Sequence, residues 1–392
     1  MTAILFVTEV RVWPPFGGEK IHAYNVIKAL SRDFPVTVLA PQPADDCPLL
    51  AQVAGWHDLS GVATGFFRRV LDSRFVVAPR AAWRDQLEHL LTTVRPQVVW
   101  FNYGHWGHYA DLAHRYGAQA VMQTHNVQSR LDWQGLNSRP LTRWHLYYAA
   151  RAPLETLHEQ MLFRRFDRVI SVSEADRRNH ARFVGEGTSL YLPNFIDEAC
   201  YEVNPLPPRE ADLLVMTGNF GAFQNQVGAD WFIEKVWPLV RAARPAARLL
   251  LVGIVSARWR KRMQATPGVA FTAGVATAAA YLRRAKAAIV PLQHGSGTRF
   301  KILEALACQA PVVSTRMGAE GIALANGVHA RVADTPAEFS KAVLDLLQNE
   351  EQGQRLAANG LALLQAEYSA TANIPRLQQI IADLSGKPND RL

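Results

Sequence analysis

The sequence predicts an α/β protein built as two doubly wound parallel sheets, and three observations point there. Short β-branched or apolar runs alternate with helical stretches along all 392 residues, the pattern of parallel strands joined by helical crossovers. That length exceeds one ordinary core of roughly 150 residues. The periodicity also breaks once, at the Pro-rich "NPLPPREAD" of 204–212, as a linker does. The halves are therefore placed at 1–203 and 204–372. Residues 373–392 form a closing helix that packs back on the first half, with Ile374, Leu377, Ile380, Ile381 and Leu384 as its apolar stripe. Its polar end, "SGKPNDRL", is expected to fray.

In the first half, six strands are expected in "AILFVTEV", "PVTVLAP", "QVVWFN", "QAVMQTHN", "DRVISVSE" and "SLYLPNF". After the first, Pro14 and Pro15 lead to Gly17 and Gly18 at a helix start, with Ala23, Val26, Ile27 and Leu30 at buried spacing. Paired glycines admit a ligand to the backbone, and free amides at a helix start attract an oxyanion or a sugar hydroxyl. Gly17 and Gly18 are thus candidate contacts for an oxyanion or a sugar hydroxyl. The glycines do not form the GxGxxG dinucleotide fingerprint, so NAD is disfavoured. His125 and Asn126 end a strand, at the crest where parallel sheets present functional groups. Ser173 is read as the N-cap of a helix carrying Arg177 and Arg178, and Asn194 as part of a hinge.

In the second half, strands are expected in "LLVMTGNF", "ARLLLVG", "VAFTAGV", "AAIVPL", "APVVST" and "HARVAD". Gly218, Asn219 and Gly221 precede a helix with Trp231, Ile233 and Val236, repeating the strand, glycine and helix order of the first half. Amides there suit a diphosphate. Gly274 and Val275 end another strand, where backbone groups can read a base edge. The densest chemistry lies in "HGSGTRFKILEALACQAPVVSTRMGAEG" at 294–321. There Gly295 and Gly297 leave amides open, Arg299 offers a bidentate fork and Lys301 a point charge. Glu304 follows on nearly the same helical face, where a carboxylate can accept the vicinal hydroxyls of a ribose. Cations, open amides and a carboxylate together fit a nucleoside diphosphate. The competing reading is an ordinary surface pair of Lys301 and Glu304.

Composition narrows the classes further. With 49% hydrophobic and 19% charged residues, the chain can fill two cores, and no apolar run reaches the ~18 residues of a membrane span. The opening "MTAILFVTEV" lacks the basic region of a signal peptide, so a cytoplasmic location is expected. Cys47, Cys200 and Cys308 are few and scattered. They predict neither a disulfide framework nor a zinc site and are expected to be buried. The formal charge of +8 favours phosphate-bearing ligands or an anionic membrane surface, and no nucleic-acid signature accompanies it. "TGFFRRVLDSRF" and "RWHLYYAARAPLETLHEQMLFRRFDR" interleave cations with aromatics, including Trp144, Tyr147, Tyr148 and Phe163. An interfacial membrane surface and a packed helix with solvated arginines are equal readings of that pattern.

"PPFGGEK", "THN", "ISVSEAD", "LPNFID", "TGNF" and above all "GSGTRFKILEALACQAPVVSTRMGAEGI" resemble the glycosyltransferases of family 4, a retaining, nucleotide-sugar-dependent group. Within it the likeness is to exopolysaccharide and lipopolysaccharide sugar transferases. The resemblance implies two facing Rossmann-like domains, the glycosyltransferase B fold, with an interdomain cleft. It implies an acceptor on the N-terminal domain, a UDP- or GDP-sugar on the C-terminal one, and no metal. His125, Arg299 and Lys301 take catalytic positions by this likeness, and Gly218, Asn219, Gly274, Val275, His294, Gly295, Ser296, Gly297, Thr298 and Glu304 the donor site. Gly17, Gly18, Glu19 and Asn126 fall to the acceptor or sugar.

The chain departs from the family pattern twice. Of the family's paired glutamates, the second aligns with Glu304, but Ser296 stands where the first belongs. The usual Arg and Lys after the first C-domain strand are also absent from "TGNFGAFQNQVG". The resemblance thus predicts sugar transfer to a glycan or lipid-linked glycan at the inner membrane face. A nucleotide-sugar epimerase and a silent partner of a polysaccharide-assembly complex are the alternatives.

Overall fold

The computed structural model describes residues 1–15, 17–59, 81–102, 104–125, 129–130, 133, 136, 143–202, 207–272, 275, 277–294 and 299–386. They divide into two compact units, the first comprising Met1–Pro15, Glu19–Asn194 and Asn373–Leu392, the second Phe16–Gly18 and Phe195–Ala372. The chain enters the second unit at Phe195, earlier than the Pro-rich stretch suggests. The reason is backbone pairing: the Ile196 amide donates to Tyr368 O at 3.0 Å and the Ala370 amide to Ile196 O at 2.8 Å.

Unit 1 carries seven parallel strands: β1 (Ile4–Val7), β2 (Val36–Ala40), β3 (Gly55–Asp58), β4 (Val98–Asn102), β5 (Gln119–Thr124), β6 (Arg168–Ser171) and β7 (Ser189–Tyr191). Their order is β3-β2-β1-β4-β5-β6-β7. Every residue of β1, β2 and β4 is buried, as expected when helices cover both faces of a parallel sheet. The edge strand β3 was not foreseen; its "GWHD" lacks a β-branched run and is half-buried or exposed throughout. The helices are α1 (Gly18–Leu30), α2 (Ala81–Val94), α3 (Ala110–Arg115), α4 (Arg143–Phe163) and α5 (Glu174–Val184). Ser173 caps α5 by accepting from the Asp176 amide, as the sequence predicts.

Unit 2 has six parallel strands, β8 (Leu213–Asn219), β9 (Arg248–Ile254), β10 (Val269–Phe271), β11 (Ala287–Val290), β12 (Val312–Ser314) and β13 (Arg331–Val332), in the order β10-β9-β8-β11-β12-β13. Around them lie α6 (Phe223–Trp231), α7 (Trp237–Ala243), α8 (Ala257–Met263), α9 (Ala279–Arg284), α10 (Phe300–Ala307), α11 (Arg316–Ala319), α12 (Pro336–Gln348) and α13 (Glu350–Leu363). A capping box of Thr335 and Glu338, with Pro336 in the first turn, starts α12. Phe232, Trp237 and Phe339 join the strand residues in the core. Gly228 lets α6 seat closely: a Cβ there would lie 2.8 Å from Pro291 O.

The last helix, α14 (Ala370–Ser385), buries Leu377, Ile380, Ile381 and Leu384. Most of it counts with unit 1, where Gln378 Nε2 donates to Asp33 Oδ2 at 2.9 Å. Cys47 and Cys308 are buried and form no disulfide, but Cys200 is exposed, correcting the expectation that all three are core residues. Phe163 also departs from its interfacial reading, being 3% exposed in the unit 1 core. The side chains of Trp144, Tyr147 and Tyr148, and all of "TGFFRRVLDSRF", lie outside the described residues.

Candidate functional site

In a doubly wound sheet the ligand crevice opens at the strand C-termini where the strand order reverses. That point is β1/β4 in unit 1 and β8/β11 in unit 2. Each holds a polar cluster.

In unit 1, Thr8 follows β1, Asn102 ends β4 and His125 follows β5, all three buried. Asn102 Nδ2 donates to Thr8 Oγ1 at 3.1 Å, and Asn102 Oδ1 accepts from His125 Nε2 at 2.8 Å. His22, from α1, stands edge-on to His125 with ring centroids 4.1 Å apart. Its Nδ1 donates to Asn194 Oδ1 at 2.6 Å. Trp100 Nε1 donates to Gln123 Oε1 at 2.8 Å.

Burial pushes the His22 imidazole down to about 4, with Gln123 and Asn194 offsetting part of that shift. Burial, then the charge of His22, holds His125 well below the ordinary histidine value. Both rings are therefore neutral near pH 7. A neutral His125 that donates from Nε2 carries its acceptor at Nδ1, so the amides of Asn102 and Asn194 choose the tautomers of the pair. Asn194 was expected as hinge geometry, and the structure makes it a partner of His22 instead.

In unit 2, Gly218 and Asn219 end β8. Asn219 Oδ1 accepts from the Gly221 amide at 2.9 Å, while its carbonyl accepts from Asn225 Nδ2 at 2.9 Å. Asn225 Oδ1 in turn accepts from Lys301 Nζ at 2.6 Å. This run of bonds ties the first turn of α10 to the end of β8. Gly218 is needed beneath it: its φ is +151° and a Cβ would lie 3.3 Å from Lys301 Nζ. Ile302, Leu303, Ala305 and Leu306 of α10 face the core, which leaves Lys301 and Glu304 half-buried on the other side.

Lys301 thus donates to an amide and does not form the surface pair with Glu304. Glu304 Oε1 accepts instead from the Tyr201 hydroxyl, at a long 3.4 Å. Burial raises the Glu304 carboxyl to about 7, against the pull of Lys301 and the Tyr201 bond. Burial and then the charge of Arg299 lower Lys301 to about 8, against Glu304. Burial also raises the Tyr201 hydroxyl well above its usual value, with Glu304 adding to the effect. Arg283 holds the segment in place by donating to Tyr201 O at 3.1 Å and Ala307 O at 3.2 Å.

Arg299 and Lys301 thus place two cations beside a carboxyl held partly protonated, and burial disfavours the charged form of both Lys301 and Glu304. Gly218 and Asn219, at the end of β8, are tied to Lys301 through Asn225, with Glu304 one turn on along α10. His294 stacks near Phe223, at the start of α6, with centroids 6.2 Å apart. Val275 is half-buried. Gly274, Gly295, Ser296, Gly297, Thr298 and Asn126 lie outside the described residues. Gly17, at φ +99°, precedes α1, and Gly18 and Glu19 begin it; all three are exposed. His22, one turn further along that helix, reaches the unit 1 cluster where they do not.

The sequence reading missed His22, Asn102, Gln123, Asn225 and Tyr201. Asn225 left a signal, since an amide occurs in "TGNFGAFQNQVG", where the family's cations are lacking. Among the described residues no group of three or more His, Cys, Asp or Glu is placed to hold a metal. No described helix is long and apolar enough to cross a membrane.

Comparison with known proteins agrees with this layout. Residues 16–199 match the Glycosyltransferase Family 4 profile, and residues 211–349 match Glycosyl transferases group 1. A protein of Klebsiella pneumoniae, described as an uncharacterized 44.6 kDa protein in cps region, is 24% identical over 219 residues. That match covers 52% of this chain and 53% of the relative, so the chain spans about half the length of the curated relative it matches. Among solved structures, sucrose-phosphate synthase from Thermosynechococcus elongatus superposes with a TM-score of 0.75 at 16% identity, covering 98% of this chain and 99% of that one. HepE from Anabaena, in complex with UDP and glucose, gives 0.71 at 14% identity over 99% and 100%. These likenesses show the shared fold, two parallel-sheet α/β units of the glycosyltransferase B type. With one family profile across unit 1 and a second across unit 2, the chain belongs to the family 4 glycosyltransferases.

Proposed function

We propose that the protein transfers a sugar from a UDP- or GDP-sugar, with retention of anomeric configuration, to a hydroxyl of a glycan or lipid-linked glycan in cell-surface polysaccharide synthesis. The observation that carries this reading is the run from Asn219 through Asn225 to Lys301, with Glu304 one turn further along α10. It offers a diphosphate a fixed cation and a ribose a carboxylate. HepE, solved with UDP and glucose, and the cps-region protein of Klebsiella support the nucleotide and the polysaccharide setting.

In this mechanism Arg299 and Lys301 stabilise the charge that grows on the nucleotide diphosphate as the anomeric bond breaks. The acceptor hydroxyl attacks the anomeric carbon, and its proton passes to the departing phosphate oxygen, so no protein base is required. By the family likeness His125 is assigned to the sugar, toward which its neutral ring would offer a hydrogen bond. The diphosphate relies on Lys301 held by Asn225, and no metal enters the scheme.

Calorimetric titration of UDP and GDP into wild type, Glu304→Ala and Arg299→Ala, without added metal, tests the donor site. One nucleotide should bind, and each substitution should weaken it at least tenfold. A folded wild type that binds neither nucleotide would overturn the assignment. Conversion of a nucleotide sugar without any acceptor would point to the epimerase, and binding without turnover on glycan acceptors to a silent partner.

A further inference from the structure

The buried polar groups of unit 1 include one residue to which the transfer scheme gives no part. His22 is 2% exposed, and around it on α1 the residues Ile21, Ala23, Val26 and Ile27 are buried and apolar. An aliphatic side chain would fill the place of His22 without stripping water from an imidazole. The helix instead carries this ring to the end of the sheet where the strand order reverses, beside His125.

Two bonds orient the pair. His22 Nδ1 donates to Asn194 Oδ1 at 2.6 Å, and His125 Nε2 donates to Asn102 Oδ1 at 2.8 Å. Asn102 is fixed in turn, because its Nδ2 donates to Thr8 Oγ1, which also accepts from the Val10 amide at 3.2 Å. The ring centroids are 4.1 Å apart with 74° between the planes, so the edge of one ring lies against the face of the other. Rotating His125 about its Cβ–Cγ bond would drive it into His22. The groups around the rings from β1, β4, β5 and the chain after β7 are Thr8, Asn102, Gln123 and Asn194, all uncharged. Among the described residues His22 is the titratable group that acts on His125. Two imidazolium ions at this separation would repel strongly in a site so poorly reached by water.

We propose that His22 is a positioning residue for His125: through its edge-on packing and its bond to Asn194 it holds the His125 ring in one orientation and one tautomer, with the proton at Nε2 and the acceptor at Nδ1. The proposal rests on the assignment of His125 to the sugar and adds a residue to that machinery. A neutral ring in a fixed tautomer offers a sugar hydroxyl an acceptor, whereas an imidazolium offers donors alone. His22 therefore keeps His125 competent as pH falls.

Long-range proton–nitrogen NMR spectra of protein labelled at histidine test this without any substrate, with His125→Gln used to assign the His125 signals. In wild type His125 should remain in the Nε2-protonated tautomer between pH 8 and pH 5.5. His22→Phe keeps a buried ring and removes its charge, so His125 should take up a proton at higher pH than in wild type and should mix its two tautomers. His22→Asn retains a donor near the place of Nδ1 but no ring; it should mix the tautomers likewise, and it carries the test if His22→Phe does not fold. Both variants should keep the nucleotide affinity of wild type, since the donor groups lie in unit 2. An His125 titration and tautomer that are the same in wild type and in the folded variants would overturn the proposal, as would a wild-type His125 protonated at Nδ1. Failure of UDP and GDP to bind a wild type whose His125 signals behave as expected would sink the donor-site reading and leave the role of His22 toward His125 standing.

Discussion

Glu304 and Lys301 show how one helical turn sets a pH response. With its native value near 7 against an ordinary 4.5, Glu304 keeps its proton in the folded state where the unfolded chain has lost it. Stability therefore falls as pH rises through about 4.5 to 7. Lys301, lowered to about 8 from 10.5, does the reverse, and stability climbs from about 8 to 10.5. The pair predicts a trough between 7 and 8. His22 opposes Glu304 in the acid range: its native value near 4 against 6.5 makes stability fall as pH drops through that window. The Glu304 slope is thus best read as the difference between wild type and Glu304→Gln in urea melts at pH 5 and 7.5. That difference should change by up to ~3 kcal/mol, and by less to the extent that water reaches the site. Asn225→Ala should loosen Lys301 at a cost of about 1 kcal/mol, weakening nucleotide binding roughly fivefold in calorimetry. An unchanged affinity would show that the Lys301–Asn225 bond has no part in the site.

Among the elements, strands and caps act through different physics. The buried runs of β1, β2 and β4 are legible in sequence because a strand covered on both faces must be apolar throughout. The Ser173 cap is legible because it is local, its hydroxyl accepting from Asp176 N at 3.1 Å within one turn. Ser173→Ala should destabilise unit 1 by about 1 kcal/mol in chemical denaturation while leaving nucleotide binding alone. The orientation of α4 was not legible. Its sequence shows a stripe at helical spacing, but which side meets the protein depends on Ser129 receiving Glu159, and Ser129 lies 30 residues away.

For the whole molecule, the division into units predicts how damage spreads. Leu377, Ile380, Ile381 and Leu384 of α14 are buried, and each contributes about 1.5–3 kcal/mol by leaving water. Removing residues 373–392 should therefore expose apolar surface of unit 1 and lower the yield of folded protein, measured by soluble expression and thermal melting. The bound nucleotide should stabilise the intact chain by ~2.7 kcal/mol at a hundredfold excess over Kd, and Glu304→Ala, binding tenfold more weakly, should cut that gain to ~1.4 kcal/mol at the same concentration. By itself the amino-acid sequence determined the α/β alternation, the two-sheet plan, the family likeness and the concentration of cations before Glu304, since each is written in neighbouring residues. Only the tertiary structure decided that Asn225 holds Lys301 across 76 residues, that Tyr201 reaches Glu304 across 103, and that His22 meets Asn194 across 172. Such partners are chosen by strand order and helix seating, which bring together groups that no local spacing connects.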